Sequence, residues 1–164
     1  MTDTAGDTSA WAAEAAGELA SAQADDGGWP FLPGQRSATE PTALAVLALA
    51  ADAPPCRRAD AVAFLADRQR PDGLFTVSAL CQEVNWVTAI AGLAVFREGR
   101  SDAGAAAAQA LLDLPVHTLP NALTAAVYGY DTETRGWPLL PGDFSLTEPT
   151  CLAMIFLKQA GFGR

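Results

Sequence analysis

The sequence predicts an all-α protein built as an array of about three α/α hairpins, and two observations support this prediction. One loop-and-helix segment occurs twice: residues 28–45 and 136–153 share thirteen of eighteen positions at a constant offset of 108 residues. A weaker relative lies between them. In all three segments an aromatic residue precedes a threonine by thirteen residues: Trp29 and Thr42, Phe75 and Thr88, Trp137 and Thr150. Such repeats indicate a fold that stacks one supersecondary unit.

Composition predicts a single folded domain over residues 9–164, after a disordered acidic tail at residues 1–8. The chain has 164 residues, half of them hydrophobic, which is enough for one core. Its net charge of −9 would repel a phosphate backbone, so we expect no nucleic-acid partner. The tail lacks the basic and apolar regions of a signal peptide, and the longest apolar run, residues 43–51, is too short to span a bilayer. We therefore expect a cytoplasmic protein.

Two kinds of helix alternate in the predicted units. Residues 8–23 and 57–69 are amphipathic, which is typical of outer helices with one exposed face. The helices that follow the three threonines are apolar nearly all round, so each is expected to be buried on every side or to face a lumen. The outer helix of the third unit has two candidates, residues 101–114 and 120–130.

The repeated Thr-Glu-Pro-Thr segment is a favourable start for an inner helix. Thr39 and Thr147 are predicted N-caps, and Glu40 and Glu148 fall in the first turn, where a negative charge is stabilising. This capping role explains every residue of the segment. Alternatively, the two glutamates project at the mouth of a cavity, where raised pKa values would let them act as general acids, or where they could share a metal. Asn85 and Trp86 occupy the matching place in the second unit.

Both of the first two loops continue a longer pattern of glutamine, glycine and an aromatic residue. Gln23 and Gly27 precede Trp29, and Gln69 and Gly73 precede Phe75 at the same spacing. This pattern resembles the glutamine–tryptophan repeats of the squalene cyclase and protein prenyltransferase β-subunit superfamily. The glutamine can hydrogen-bond to backbone at the turn, where glycine allows a tight reversal and the aromatic ring packs over it. The third copy lacks the glutamine.

The resemblance implies an α/α toroid whose inner helices surround an apolar cavity for isoprenoid chains. Rings in that superfamily contain five to seven hairpins, and this chain supplies about three. We therefore expect a partial toroid that is completed by oligomerisation, as a homodimer or with a partner subunit.

By the same resemblance, the protein is expected to bind an isoprenoid or other apolar chain. Cyclisation or transfer of the chain would use Glu40 and Glu148 as catalytic acids, with Asn85, Trp86 and Tyr128 as substrate contacts. The superfamily's Asp-x-Asp-Asp acid motif is missing, and the lone His117 has no patterned zinc partners. No metal or cofactor is expected. The alternative is a non-catalytic module with the same fold that binds a hydrophobic ligand or another protein.

The three cysteines form no Cys-x-x-Cys pair. They are predicted to be small core residues, as free cysteines in apolar stretches usually are.

Overall fold

The computed structural model describes residues 5–49, 57–84, 86–118, 126–127, 129 and 133–162. Within them the chain is mainly helical, which confirms the all-α class. The helices are α1 (Ala5–Ser21), α2 (Thr39–Ala48), α3 (Arg58–Ala66), α4 (Val87–Arg97), α5 (Ser101–Leu112) and α6 (Thr147–Gln159). Two short antiparallel strands, β1 (Trp29–Pro30) and β2 (Ser37–Ala38), were not predicted. None of the described helices is both long enough and apolar enough to cross a membrane.

One hydrogen bond recurs in all three units and accounts for the spacing of thirteen residues. The backbone N–H of the aromatic residue donates to the threonine hydroxyl at the start of the inner helix. The donor–acceptor distances are 2.8 Å for Trp29–Thr42, 3.0 Å for Phe75–Thr88 and 2.8 Å for Trp137–Thr150. The loop therefore returns to a fixed point on the inner helix in each unit.

A second recurring hydrogen bond identifies the outer helix of the third unit. The indole Nε1 of Trp29 donates to the Leu19 carbonyl in α1 at 2.7 Å. The indole Nε1 of Trp137 donates to the Leu111 carbonyl in α5 at 2.8 Å. Helix α5 is thus the outer helix of the third unit. Most of the other candidate, residues 120–130, lies outside the described residues.

The glutamine of the repeat contacts the turn as predicted and also reaches the next unit. The Gln23 side chain donates to the Gly27 carbonyl at 2.7 Å, and the Gln69 side chain donates to the Gly73 carbonyl at 3.1 Å. Both glycines have a φ of +86°, a left-handed conformation that favours glycine.

The contacts with the next unit lie 34 residues further along the chain. Gln23 accepts a hydrogen bond from the Arg57 N–H at 2.7 Å and donates to the Arg57 carbonyl at 3.0 Å. Gln69 donates to the Ala103 carbonyl in α5 at 2.8 Å. Each glutamine therefore joins its own turn to the beginning of the next outer helix.

Helix α4 forms the centre of the molecule. It packs against α2 on one side, α6 on the other and the outer helices α3 and α5 behind. Its residues from Val87 to Val95 are all buried, so this inner helix is buried on every side rather than open to a lumen. Gly92 allows the close approach of α6, because a β-carbon there would lie 2.6 Å from the Phe156 ring.

The prediction that Thr39 and Thr147 are N-caps is wrong. The N-cap positions are Ala38 and Leu146, both extended and without a capping side-chain hydrogen bond, and the two threonines are the first helical residues. Ala38 belongs to β2, so pairing of that strand keeps it extended up to the helix start. The Thr39 hydroxyl instead donates to the Thr76 carbonyl of the second unit at 2.6 Å.

Two expectations about burial also differ from the structure. Helix α6 is not covered all round, because Cys151, Met154 and Ile155 are exposed. Cys151 is therefore not a core residue, and Cys81 is only half-buried; Cys56 lies outside the described residues. The helix limits differ as well: α1 begins before the predicted start at residue 8, and α2 ends before the predicted end at residue 51.

Candidate functional site

The two candidate catalytic residues, Glu40 and Glu148, lie in the first turns of α2 and α6. Pro41 and Pro149 follow them, and proline is tolerated in a first turn because its missing N–H has no partner within the helix. Helix α4 separates the two helices, yet the charge of Glu148 affects the Glu40 carboxyl. The fold therefore brings the two carboxylates, 108 residues apart in sequence, within electrostatic range of each other.

The environment of Glu40 favours its neutral form. Its side chain is half-buried, and desolvation raises the pKa of its carboxyl above the usual 4.5. The charge of Glu148 raises the pKa of Glu40 further, as expected for two nearby carboxylates. Within the described part of the chain, neither carboxylate has a hydrogen-bond donor or a cation as partner.

A carboxyl with a raised pKa keeps its proton to a higher pH than an exposed one, as a general acid requires, and the negative charge of a second carboxylate nearby can stabilise a developing positive charge. The alternative of a shared metal has no support from the described residues. Among the described residues, no group of three or more His, Cys, Asp or Glu side chains could hold a metal ion.

Trp86, the predicted substrate contact before α4, is half-buried. Its backbone N–H donates to the Leu139 carbonyl of the third unit at 3.0 Å. Its side chain borders an apolar space of about 10 Å³ that Trp137 and Pro149 also line. That space has room for about one water molecule. The space that Trp86 borders in a single copy is therefore too small for an isoprenoid chain. The other two predicted contacts, Asn85 and Tyr128, lie outside the described residues.

A cleft beside α6 was not predicted. It encloses about 280 Å³, and its lining includes His117, Arg135, Phe144, Thr147 and Cys151. The His117 ring packs edge-to-face on Phe144, with 4.8 Å between ring centroids and an angle of 83° between the rings. Nothing in the spacing of the sequence places His117 next to α6, because the loop reaches it through a long-range backbone pairing with Phe144.

Comparison of the chain with protein-family models, curated proteins and solved structures gives no match.

Proposed function

We propose that the protein is part of an α/α toroid that binds an isoprenoid or other apolar chain against its inner helices. Glu40 acts as a general acid in the cyclisation or transfer of that chain. The observation that carries the proposal is the half-buried Glu40 carboxyl, which has no partner among the described residues and whose pKa is raised by burial and by Glu148.

The surfaces behind the two glutamates support an apolar ligand. Leu44 lies one helical turn after Glu40 and is 47% exposed. Cys151 lies about one turn after Glu148 and is also exposed. Each carboxylate is therefore followed along its helix by an exposed, uncharged side chain. An apolar chain could lie along these side chains with its reacting end at the carboxylates.

In the proposed cyclisation, protonated Glu40 gives its proton to a carbon–carbon double bond of the ligand, which leaves a carbocation on the ligand and a carboxylate on Glu40. A second double bond of the ligand attacks the cation to close the ring, and loss of a proton from the ring cation to water or to the Glu40 carboxylate ends the reaction. Burial and the charge of Glu148 raise the pKa of Glu40, and the Glu148 carboxylate stabilises the positive charge. Asn85, Trp86 and Tyr128 are proposed ligand contacts. No metal or cofactor takes part.

A second candidate is a non-catalytic module that binds a hydrophobic ligand or another protein. The burial of α4 favours it, because the middle inner helix of a single copy offers almost no free surface to a ligand. Exposed apolar side chains on α6, such as Met154 and Ile155, also favour a contact with another protein.

Binding and turnover of two probes, farnesol and squalene, distinguish the candidates. Binding is measured by quenching of tryptophan fluorescence, and products are analysed by gas chromatography with mass spectrometry. We expect Glu40→Gln to bind the probes as tightly as the wild type and to lose about 10²–10⁴-fold in turnover. Glu14→Gln, which removes an exposed glutamate of α1, is the matched control and should leave turnover unchanged.

Each other outcome has a definite meaning. Binding of the probes by the wild type without turnover supports the non-catalytic module. Absence of binding of both probes contradicts an isoprenoid ligand. If Glu40→Gln and Glu148→Gln change only the melting temperature, the two glutamates only stabilise the first turns of α2 and α6.

A further inference from the structure

Successive units are joined by the same kind of backbone contact. At the first junction, the Thr39 N–H donates to the Val77 carbonyl at 3.0 Å. At the second, the donor lies one position later in the unit: the N–H of Trp86, the equivalent of Glu40, donates to the Leu139 carbonyl at 3.0 Å. In both cases the acceptor lies two residues after the repeat aromatic of the following unit. The beginning of each inner helix is therefore held by the loop of the next unit.

The third unit presents the donor of the first junction without an acceptor among the described residues. Thr147 is equivalent to Thr39, at the offset of 108 residues. Thr39 is fully buried, whereas Thr147 is exposed. Neither the N–H nor the hydroxyl of Thr147 has a partner among the residues that the structure describes.

Other equivalent positions show the same contrast. Val46 in α2 is 2% exposed and Gly92 in α4 is buried, but the equivalent Met154 in α6 is 59% exposed. Ala43 and Ala89 are buried, but the equivalent Cys151 is exposed. We call the surface formed by Thr147, Cys151 and Met154 the trailing edge. It is a unit-to-unit contact surface that no described residue covers.

The first unit carries the other half of a junction. Phe31 lies two residues after Trp29, as Val77 follows Phe75, and its carbonyl accepts no hydrogen bond from a described residue. Phe31 is 56% exposed, and Leu44 is 47% exposed although its equivalent Ile90 is 3% exposed. We call the surface formed by Phe31, Leu44 and Ala48 the leading edge.

The two edges also match in size. At the second junction Phe156 of α6 packs against Gly92 of α4, so a large side chain meets a position without one. On the leading edge, Ala48 occupies the position equivalent to Phe156. On the trailing edge, Met154 occupies the position equivalent to Gly92. A large side chain again opposes a small one, with the sizes reversed.

We propose that the trailing edge of one copy docks on the leading edge of a second copy, and that two copies related by a two-fold axis close both pairs of edges into a dimer. The Thr147 N–H then donates to the Phe31 carbonyl of the other copy. The occupant is a second copy because the complementary donor, acceptor and apolar surfaces belong to one chain. This inference does not depend on the proposed chemistry of Glu40, but docking would cover Leu44 and Cys151, so a second copy and the proposed ligand would compete for these two side chains.

Mixing of two variants tests this arrangement. Met154→Glu places a charge in the trailing edge, and Ala48→Glu places one in the leading edge. Both residues are exposed in a single copy, so each variant should fold. Leu80→Glu is the control, since Leu80 is 74% exposed in the loop of the second unit. Mass is measured by light scattering after size exclusion, and circular dichroism checks folding.

We expect the wild type and Leu80→Glu to have twice the chain mass of 17.0 kDa. Met154→Glu and Ala48→Glu should each have the mass of one chain. An equimolar mixture should regain dimers held by one contact, because the unmodified trailing edge of Ala48→Glu fits the unmodified leading edge of Met154→Glu. The two introduced charges meet at the other contact, which should stay open.

Three results would overturn the proposal. The first is a wild type that stays monomeric at 100 μM, about the upper range of such measurements. The second is a dimer that is disrupted by only one of the two edge variants and is not restored by mixing. That result would indicate a two-fold contact between identical edges. The third is an assembly larger than two copies, which contradicts closure by a pair.

Discussion

The Thr42 hydroxyl fixes the first loop by acting on both of its sides. It accepts a hydrogen bond from the Trp29 N–H at 2.8 Å and donates to the Ala38 carbonyl at 2.7 Å, in a fully buried position. A buried hydroxyl with two backbone partners is costly to remove, because both partners would lose their hydrogen bond in a place that water does not reach.

We predict that Thr42→Val lowers the free energy of unfolding by about 1–3 kcal/mol, since valine keeps the volume but leaves two backbone groups without a partner. Urea denaturation measures the change. Thr42→Ser is the matched control, because it keeps the hydroxyl and loses only a methyl group, at a cost of about 0.8 kcal/mol. A valine variant as stable as the serine variant would contradict this role of the hydroxyl.

Also at the residue scale, the pKa of Glu40 should respond to Glu148. Removing the neighbouring charge in Glu148→Gln should lower the pKa of Glu40, although desolvation, the larger cause, would keep it above 4.5. Titration of the Glu40 side-chain carboxyl carbon by NMR measures the change. Glu14→Gln removes an equal charge from the exposed face of α1 and should leave the pKa of Glu40 unchanged.

The same shift predicts how stability depends on pH. Because folding raises the pKa of Glu40, the folded chain binds the proton more tightly than the unfolded chain. This stabilising contribution is fully present below pH 4.5 and is lost as the pH rises through the folded pKa. Glu40→Gln does not titrate and so cannot lose this contribution. The melting temperature of Glu40→Gln minus that of the wild type should therefore increase from pH 4 to pH 7. A constant difference over that range would contradict the raised pKa.

At the scale of elements, Gly92 sets the distance between α4 and α6. A β-carbon there would lie 2.6 Å from the Phe156 ring and 3.0 Å from the Ala107 side chain. We predict that Gly92→Ala destabilises the protein by about 1 kcal/mol or more, because the overpacking outweighs the better helix propensity of alanine. Thermal denaturation measures the change.

Gly17 in α1 provides the matched control for Gly92. Nothing lies within 4 Å of a β-carbon added there, so Gly17→Ala should stabilise the protein by about 0.5–1 kcal/mol. In the double variant Gly92→Ala/Phe156→Leu, the smaller leucine replaces the opposing ring. Its loss of unfolding free energy should be smaller than the sum of the losses in the two single variants. Additivity of the two changes would show that the helices do not meet at these positions.

The sequence predicted the elements better than it predicted their ends. The three aromatic–threonine pairs located the inner helices α2, α4 and α6, because the recurring spacing reflects one hydrogen bond. The N-caps were wrong because Thr39 bonds to a loop 37 residues further along the chain, and local sequence preferences do not include such a partner. The bridges from Gln23 and Gln69 to the next outer helix were not predicted for the same reason.

At the scale of the whole molecule, burial depends on which unit a residue occupies. Glu40 and Glu148 have the same local sequence, and repeat equivalence predicted that they would lie at equivalent places. Their exposure differs, since Glu40 is half-buried and Glu148 is exposed. Cys151 and Met154 are exposed although equivalent residues of the other units are buried. Position in the array decides these differences, and the repeat pattern alone does not contain that information.

The Thr147 N–H, which has no partner among the described residues, gives the most direct test of the complementary edges. Its backbone N–H should exchange slowly with deuterated solvent in concentrated wild-type protein. We expect the same of the equivalent Thr39 N–H, which is bonded to the Val77 carbonyl. In Met154→Glu at the same concentration, the Thr147 amide should exchange at least about 10-fold faster, while Thr39 stays protected, because only the contact between copies is lost. Fast exchange of the Thr147 amide in both proteins would contradict the docking of one edge on the other.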